Sequence, residues 1–181
     1  AIDTLAHSVD KMNRLLGQLR KGNVIEPKVR PVDLKLVLEQ VVIQQNKAQP
    51  LPILEESEGN IRVNGDYDKL VSIIAHLVEN AQDATPEEGS VKIRLYKTDN
   101  RAIIEVEDTG CGMDSHFIRE RLFKPFDTTK GNAGMGIGVF EARQLVTSYG
   151  GQMEVESEPG KGTCFTLKLP LSQEFMMEKQ D

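Results

Sequence analysis

The chain has 181 residues, of which 39% are hydrophobic, enough to bury one core plus a small appendage. Its 28 acidic and 22 basic side chains leave a formal charge of -6, which argues against a polyanion-wrapping surface and against nucleic acid as a partner. No run approaches the roughly 18 apolar residues of a membrane span, and Cys111 and Cys164 have neither metal nor disulfide-framework spacing, so a soluble protein of the reducing cytoplasm is expected.

Ala1 opens in the middle of a helical pattern without an initiator methionine, and the chain is therefore expected to be an excised piece of something longer. Ile2, Leu5, Val9, Met12, Leu16 and Leu19 alternate steps of three and four over residues 1–21, which is a heptad seam. It suits either a helix lying on its own domain or one packing in a bundle with elements outside the chain. Gly22, Asn23, Pro27 and Pro31 then predict a linker over 22–32. The domain proper is expected over 33–171, with a frayed tail at 172–181.

Asp33 is placed to cap a helix with Leu34, Val37, Leu38, Val41 and Val42 at helical spacing. Short strands are predicted at 52–56 and 60–63, and Asp66 starts a long helix whose apolar side carries Leu70, Ile73, Ile74, Leu77, Val78 and Ala81. Alternation predicts strands at 91–96 and 102–107 with a turn between them. A loop-rich stretch over 108–138 holds a short helix at 117–122, and a further helix runs over 138–148. Strands at 152–156 and 163–169, joined by Glu158-Pro159-Gly160-Lys161-Gly162, make a second hairpin. Hairpins alternating with long helices predict an α+β fold, a two-layer sandwich with helices on one face of a mixed sheet.

Glycines gather in three groups, each readable by itself as a turn. In Asp108-Thr109-Gly110-Cys111-Gly112, at a strand end, a buried carboxylate with open backbone around it suits the amino group of a flat base. Gly134-Met135-Gly136-Ile137-Gly138 opens a helix, where bare amides and the positive end of the helix dipole suit phosphates. The third group is Gly160-Lys161-Gly162. On the long helix, His76, Asn80 and Asp83 share one face, either as an ordinary solvated surface or as a functional one. In the functional reading the Asn80 oxygen suits a hard cation such as Mg²⁺, and Glu79 offers a carboxylate to orient or deprotonate a nucleophile. No second His or Cys lies at ligand spacing beside His76, which argues against zinc. A P-loop, the Ser/Thr/Tyr kinase loops, a Gly-x-Ser-x-Gly elbow, a His-Glu-x-x-His helix and the dinucleotide fingerprint are all absent.

Taken in order, these residues resemble the ATP-binding catalytic domain of bacterial sensor histidine kinases, in the superfamily that also holds gyrase, Hsp90 and MutL ATPases. The likeness covers residues 66–170. His76-Leu77-Val78-Glu79-Asn80-Ala81 resembles the N box, Asp108 to Gly112 the first glycine box, and Phe123-Lys124-Pro125-Phe126 the F box. Gly134 to Gly138 resembles the second glycine box, and Gly160-Lys161-Gly162-Thr163 the last. The resemblance implies a Bergerat-type sandwich of three main helices on a mixed five-stranded sheet, with ATP held under a mobile lid. It makes Asn80 the Mg²⁺ ligand, Asp108 the acceptor for the adenine amine, and Thr163 a support of that polar network. Gly110 and Gly112 let the chain pass close to the base, and Gly134, Gly136 and Gly138 supply amides to the phosphates. Lys130 meets the β- and γ-phosphates, while Asp83, Met113, Phe126, Thr128, Thr129, Met135 and Ile137 complete the nucleotide surroundings. Phe123 and Phe126 also read as residues anchoring the lid in the core.

By the same resemblance, residues 1–21 are the end of the second helix of a dimerisation and phosphoacceptor hairpin. None of His7, His76 and His116 stands in a phosphoacceptor pattern, so the target histidine is expected outside this chain. The implied partners are that hairpin, in the same or a partner subunit of a homodimer, and a response regulator. Asn80, Glu79 and Lys130 are the catalytic candidates, Glu79 ranking behind an acid beside the target histidine as the base. His76 stands where many relatives have Asn, and Ile137 where Leu is common. An anti-sigma-factor-like serine kinase and a non-catalytic ATP-sensing module are the alternatives, with gyrase-like ATPases more distant.

Overall fold

The computed structural model describes residues 28–55, 57, 59–125 and 138–173. Their elements are β1 (Arg30–Asp33), α1 (Leu34–Gln44), β2 (Pro52–Leu54), β3 (Arg62–Gly65), α2 (Tyr67–Ala84), β4 (Val91–Thr98), β5 (Arg101–Asp108), α3 (Ser115–Glu120), α4 (Gly138–Ser148), β6 (Gln152–Glu158) and β7 (Gly162–Pro170). The heptad segment 1–21 and most of the 22–32 stretch lie outside the described residues.

Local chemistry sets the helix starts. The Asp33 carboxylate accepts from the Lys35 amide at 2.9 Å, the Asp66 carboxylate from Lys69 at 3.1 Å, and the Asp114 carboxylate from Phe117 at 2.8 Å. The cap at Asp114 starts α3 at Ser115, two residues before the expected Phe117. Both strands of the first hairpin run longer than their alternation predicts, because pairing continues to Thr98 opposite Arg101 around a two-residue turn.

A five-stranded sheet in the order β2-β4-β5-β7-β6 carries the fold. β2 runs parallel to β4 and all other pairs are antiparallel. On the face toward the helices, Val91, Ile93 and Leu95 of β4 and Phe165, Leu167 and Leu169 of β7 are buried with Leu70, Ile74, Leu77 and Val78 of α2. The opposite face is charged. Arg94 there bonds Glu55 at 3.0 Å and Glu105 at 2.8 Å and also pairs with Glu107. Such partly exposed pairs order the face more than they stabilise it.

The two ends of the domain also differ from the sequence reading. Arg30, Pro31 and Val32, expected as linker, pair antiparallel with β3 in a separate two-stranded sheet. Pro31 is tolerated because β1 has a single partner strand. Ser172, expected to begin a frayed tail, is buried, and its amide donates to the Arg62 carbonyl at 2.8 Å, fastening the end of β7 onto β3.

Candidate functional site

The register of the three strands at one edge of the sheet creates a polar row at the end of an apolar face. Val106 lies opposite Phe165, which lies opposite Val155, and all face the helices. Two residues along, the same face presents Asp108, Thr163 and Ser157, again directly opposite one another. Asp108 is 6% exposed and Thr163 is 7% exposed, so burial here is a cost that hydrogen bonds must offset.

The Asp108 carboxylate accepts from the Gly110 amide at 2.8 Å and from the main-chain amide of Thr163. Burial pushes this carboxyl above its ordinary range, and the two amides pull it back only in part. An ionised Asp108 therefore keeps an unsated demand for donors, which suits the amine of a flat base.

Three chain segments close around this row. The Cys111 amide donates to the Ala84 carbonyl at 3.0 Å, setting the loop after β5 against the C-terminal end of α2, one turn beyond Asn80. The Gly160 amide donates to the Cys111 carbonyl at 2.7 Å, which ties the β6–β7 turn to the same loop. Side chains are excluded at the crossings. A Cβ on Gly112 would stand 2.0 Å from the Glu158 carbonyl oxygen, and one on Gly162 would stand 1.9 Å from the Asp108 carbonyl oxygen. Both glycines also have positive φ, 69° and 125°.

On α2, Asn80 and Asp83 follow His76 at helical spacing, with Glu79 and Asp83 exposed and His76 half-buried. Gly138, the first residue of α4, sits against His76, where a Cβ would lie 3.3 Å from the imidazole-bearing carbon. The structure thus brings Asp108, Gly110, Gly112 and Thr163 together and sets Asn80, Asp83, Glu79 and Gly138 on the adjoining helices. Met113 joins the row through its amide, which donates to the Ser157 hydroxyl at 2.8 Å. Phe123 packs against the core with the Arg143 guanidinium 4.5 Å above its ring. Phe126, Thr128, Thr129, Lys130, Gly134, Met135, Gly136 and Ile137 lie outside the described residues.

A cavity of about 500 Å³ opens between α1 and α2, lined by residues such as Gln40, Gln44, Tyr67, Ser72, His76 and Glu79. It adjoins the N-terminal half of α2 and not the Asp108 row, and it shares only His76 and Glu79 with the predicted functional face. Among the described residues no three His, Cys, Asp or Glu side chains cluster as metal ligands. On its helix face Asn80 has the Asp83 carboxylate on one side and the His76 imidazole on the other, and the carboxamide and carboxylate oxygens suit a hard cation that keeps waters and takes further oxygens from a ligand.

Sequence reasoning missed Ser157 and Thr109. The Thr109 hydroxyl accepts from the Ser90 amide at 2.9 Å and its own amide donates to the Ser90 carbonyl at 3.1 Å, fixing the loop to the start of β4. A hairpin register counted back from Thr163 would have found Ser157; Thr109 stands inside the first glycine group, but nothing local marks its contact with Ser90.

The fold is that of one family of ATPases. Residues 65–173 match the family of histidine kinase-, DNA gyrase B-, and HSP90-like ATPases, and the chain belongs to it. Among curated relatives, it is 32% identical over 143 residues to Sporulation kinase C of Bacillus subtilis (strain 168), covering 79% of this chain and 31% of that protein. It is 27% identical over 177 residues to the signal transduction histidine-protein kinase AtoS of Escherichia coli (strain K12), covering 94% of this chain and 29% of that protein. The chain thus spans about a third of the length of these relatives. Among solved structures, full-length ShkA in complex with AMPPNP superposes with a TM-score of 0.73 at 26% identity, covering 92% of this chain and 36% of that one. The mycobacterial sensor histidine kinase MprB superposes at 0.66 with 26% identity, covering 79% and 97%.

Proposed function

We propose that this chain is the catalytic part of a two-component sensor histidine kinase, moving the γ-phosphoryl group of ATP to a histidine on a phosphoacceptor hairpin of the same or a partner subunit. In this reading the parent is a homodimer that passes the phosphoryl group to a response regulator. The observation that carries the reading is the buried Asp108 beside Thr163 at the end of β5, closed by a glycine loop that abuts α2 one turn from Asn80.

Asp108 accepts from the exocyclic amine of the base, and its neighbours Gly110 and Gly112 keep side chains out of the base's way. Asn80 would hold Mg²⁺ through its carboxamide oxygen. When bound, the cation neutralises phosphate charge as it develops in the transition state. Gly138, at the positive end of the α4 dipole, adds an amide on the phosphate side. We assign Gly134, Gly136 and Lys130, together with Thr128 and Thr129, to phosphate binding as well; these residues lie outside the described ones. A neutral imidazole is already a nucleophile, so the chain's main task is positioning rather than base activation, and Glu79 is a weak candidate for a base.

The test mixes the chain, radiolabelled ATP and Mg²⁺ with a separately supplied histidine-bearing hairpin. Acid-labile label on the hairpin is expected. Acid-stable label would replace this reading with serine transfer, and nucleotide binding without any label would leave an ATP-sensing module.

A further inference from the structure

The Ser157 hydroxyl is saturated in a way that fixes the proton of its neighbour. It lies 2.9 Å from the Gly162 carbonyl oxygen, and since a carbonyl only accepts, the single serine proton is spent there. The Met113 amide donates to the same oxygen at 2.8 Å. The remaining contact, 2.8 Å to the Thr163 hydroxyl, can then be made only with Thr163 as donor. One donor and two acceptor sites are a hydroxyl's whole inventory, so no other assignment satisfies all three contacts.

The consequence falls on the site. With its proton turned toward Ser157, Thr163 shows only lone pairs elsewhere, and it stands directly opposite Asp108 in the strand register. Asp108, when ionised, is likewise an acceptor. We propose that Ser157 is a positioning residue for base selection: by orienting the Thr163 hydroxyl as an acceptor, it makes the base end of the site a pair of acceptors that favours an exocyclic amine over a carbonyl. This deepens the nucleotide reading and rests on it. A ring with a carbonyl in place of the amine sets acceptor directly against acceptor, and buried mismatches of that kind discriminate more strongly than lost contact area. The same hydroxyl joins the loop after β5 to the β6–β7 hairpin, so its loss frees both the proton of Thr163 and the amide of Met113.

The experiment compares ATP with inosine triphosphate, which has a carbonyl in place of the exocyclic amine and carries a proton on the adjoining ring nitrogen, by calorimetric titration of the parent chain, Ser157→Ala, Ser157→Thr, Thr163→Val and the Ser157→Ala/Thr163→Val double variant. The parent should prefer ATP. Ser157→Ala should lower that preference on the order of tenfold, the scale of one hydrogen bond, while Ser157→Thr restores it. The double variant should lose no more selectivity than Thr163→Val alone, because both changes remove the same oriented acceptor. If Ser157→Ala does not fold, Ser157→Cys, which keeps the volume but bonds weakly, supplies the same comparison. Parallel weakening of both nucleotides at an unchanged ratio, or additive losses in the double variant, would overturn the inference and reduce Ser157 to a structural link. A parent chain that binds neither nucleotide would overturn the nucleotide reading as well.

Discussion

Asp108 is placed where its charge costs the fold and serves the site. Its carboxyl is raised by burial, so the folded form holds a proton more tightly than the unfolded chain does. The ionised group therefore lowers stability at neutral pH, and that cost disappears as pH falls through the raised value toward the ordinary 3.8. Urea titrations of the parent and Asp108→Asn across this window should show the parent gaining on the variant as pH drops; a flat difference would remove the carboxyl as the source. ATP affinity should run the other way, falling in the parent as the acceptor is protonated. At neutral pH, Asp108→Asn should weaken ATP by more than about tenfold, since it sets a donor against the amine at a buried position, and unchanged calorimetric affinity would remove Asp108 from the base site. Asn80→Ala makes a different claim. It should abolish the Mg²⁺-dependent part of ATP affinity while the thermal transition stays close to that of the parent, and metal-independent binding in the parent would count against Asn80 as a ligand.

The helix that presents Asn80 is held by a residue beside it. Gln82, 4% exposed, turns its side-chain amide nitrogen to the carbonyls of Gln45, Ala48 and Pro50 at 3.1, 2.8 and 3.1 Å, three acceptors sharing its two protons. This binds the connection between α1 and β2 to α2. Gln82→Leu strands those acceptors but also removes the buried Gln82 Oε1, which has no hydrogen-bond partner among the described residues, so it should cost about 1–2 kcal/mol in urea denaturation. A loss below about 1 kcal/mol would mean that water reaches the carbonyls instead. Elements of this kind explain what could be read from sequence. α2 was legible because its apolar spacing is long and Asp66 caps it, and both hairpins were legible through alternation. The row of Asp108 and Thr163 was found from its motifs. β1 was not, because Pro31 reads as a breaker and the strand exists only through pairing with β3, some thirty positions away. Ser157 was missed for the same reason: its meaning lies in register with Thr163 and in a contact to Met113 across the fold, and periodicity reports neither.

At the scale of the molecule, the proposed base site lies where the end of β5, the end of α2 and the β6–β7 turn converge, so it depends on backbones approaching more closely than side chains allow. Gly160 and Gly162 separate that requirement from the simpler one of turning the chain. Both have positive φ, 78° and 125°, but a Cβ on Gly160 meets nothing within 4 Å, whereas one on Gly162 overlaps the Asp108 carbonyl oxygen at 1.9 Å. Gly160→Ala should therefore cost only the left-handed strain, about 1–2 kcal/mol, and leave ATP affinity near that of the parent. Gly162→Ala meets backbone that cannot give way without parting β5 from β7 at the Asp108–Thr163 pair, and its φ lies where only glycine is at ease. It should cost more than Gly160→Ala in urea denaturation and lose ATP binding by at least tenfold, even at temperatures well below its own transition. Equal costs for the two variants, with affinity intact in both, would show that the turn alone matters and that the close crossing at Asp108 does not shape the site.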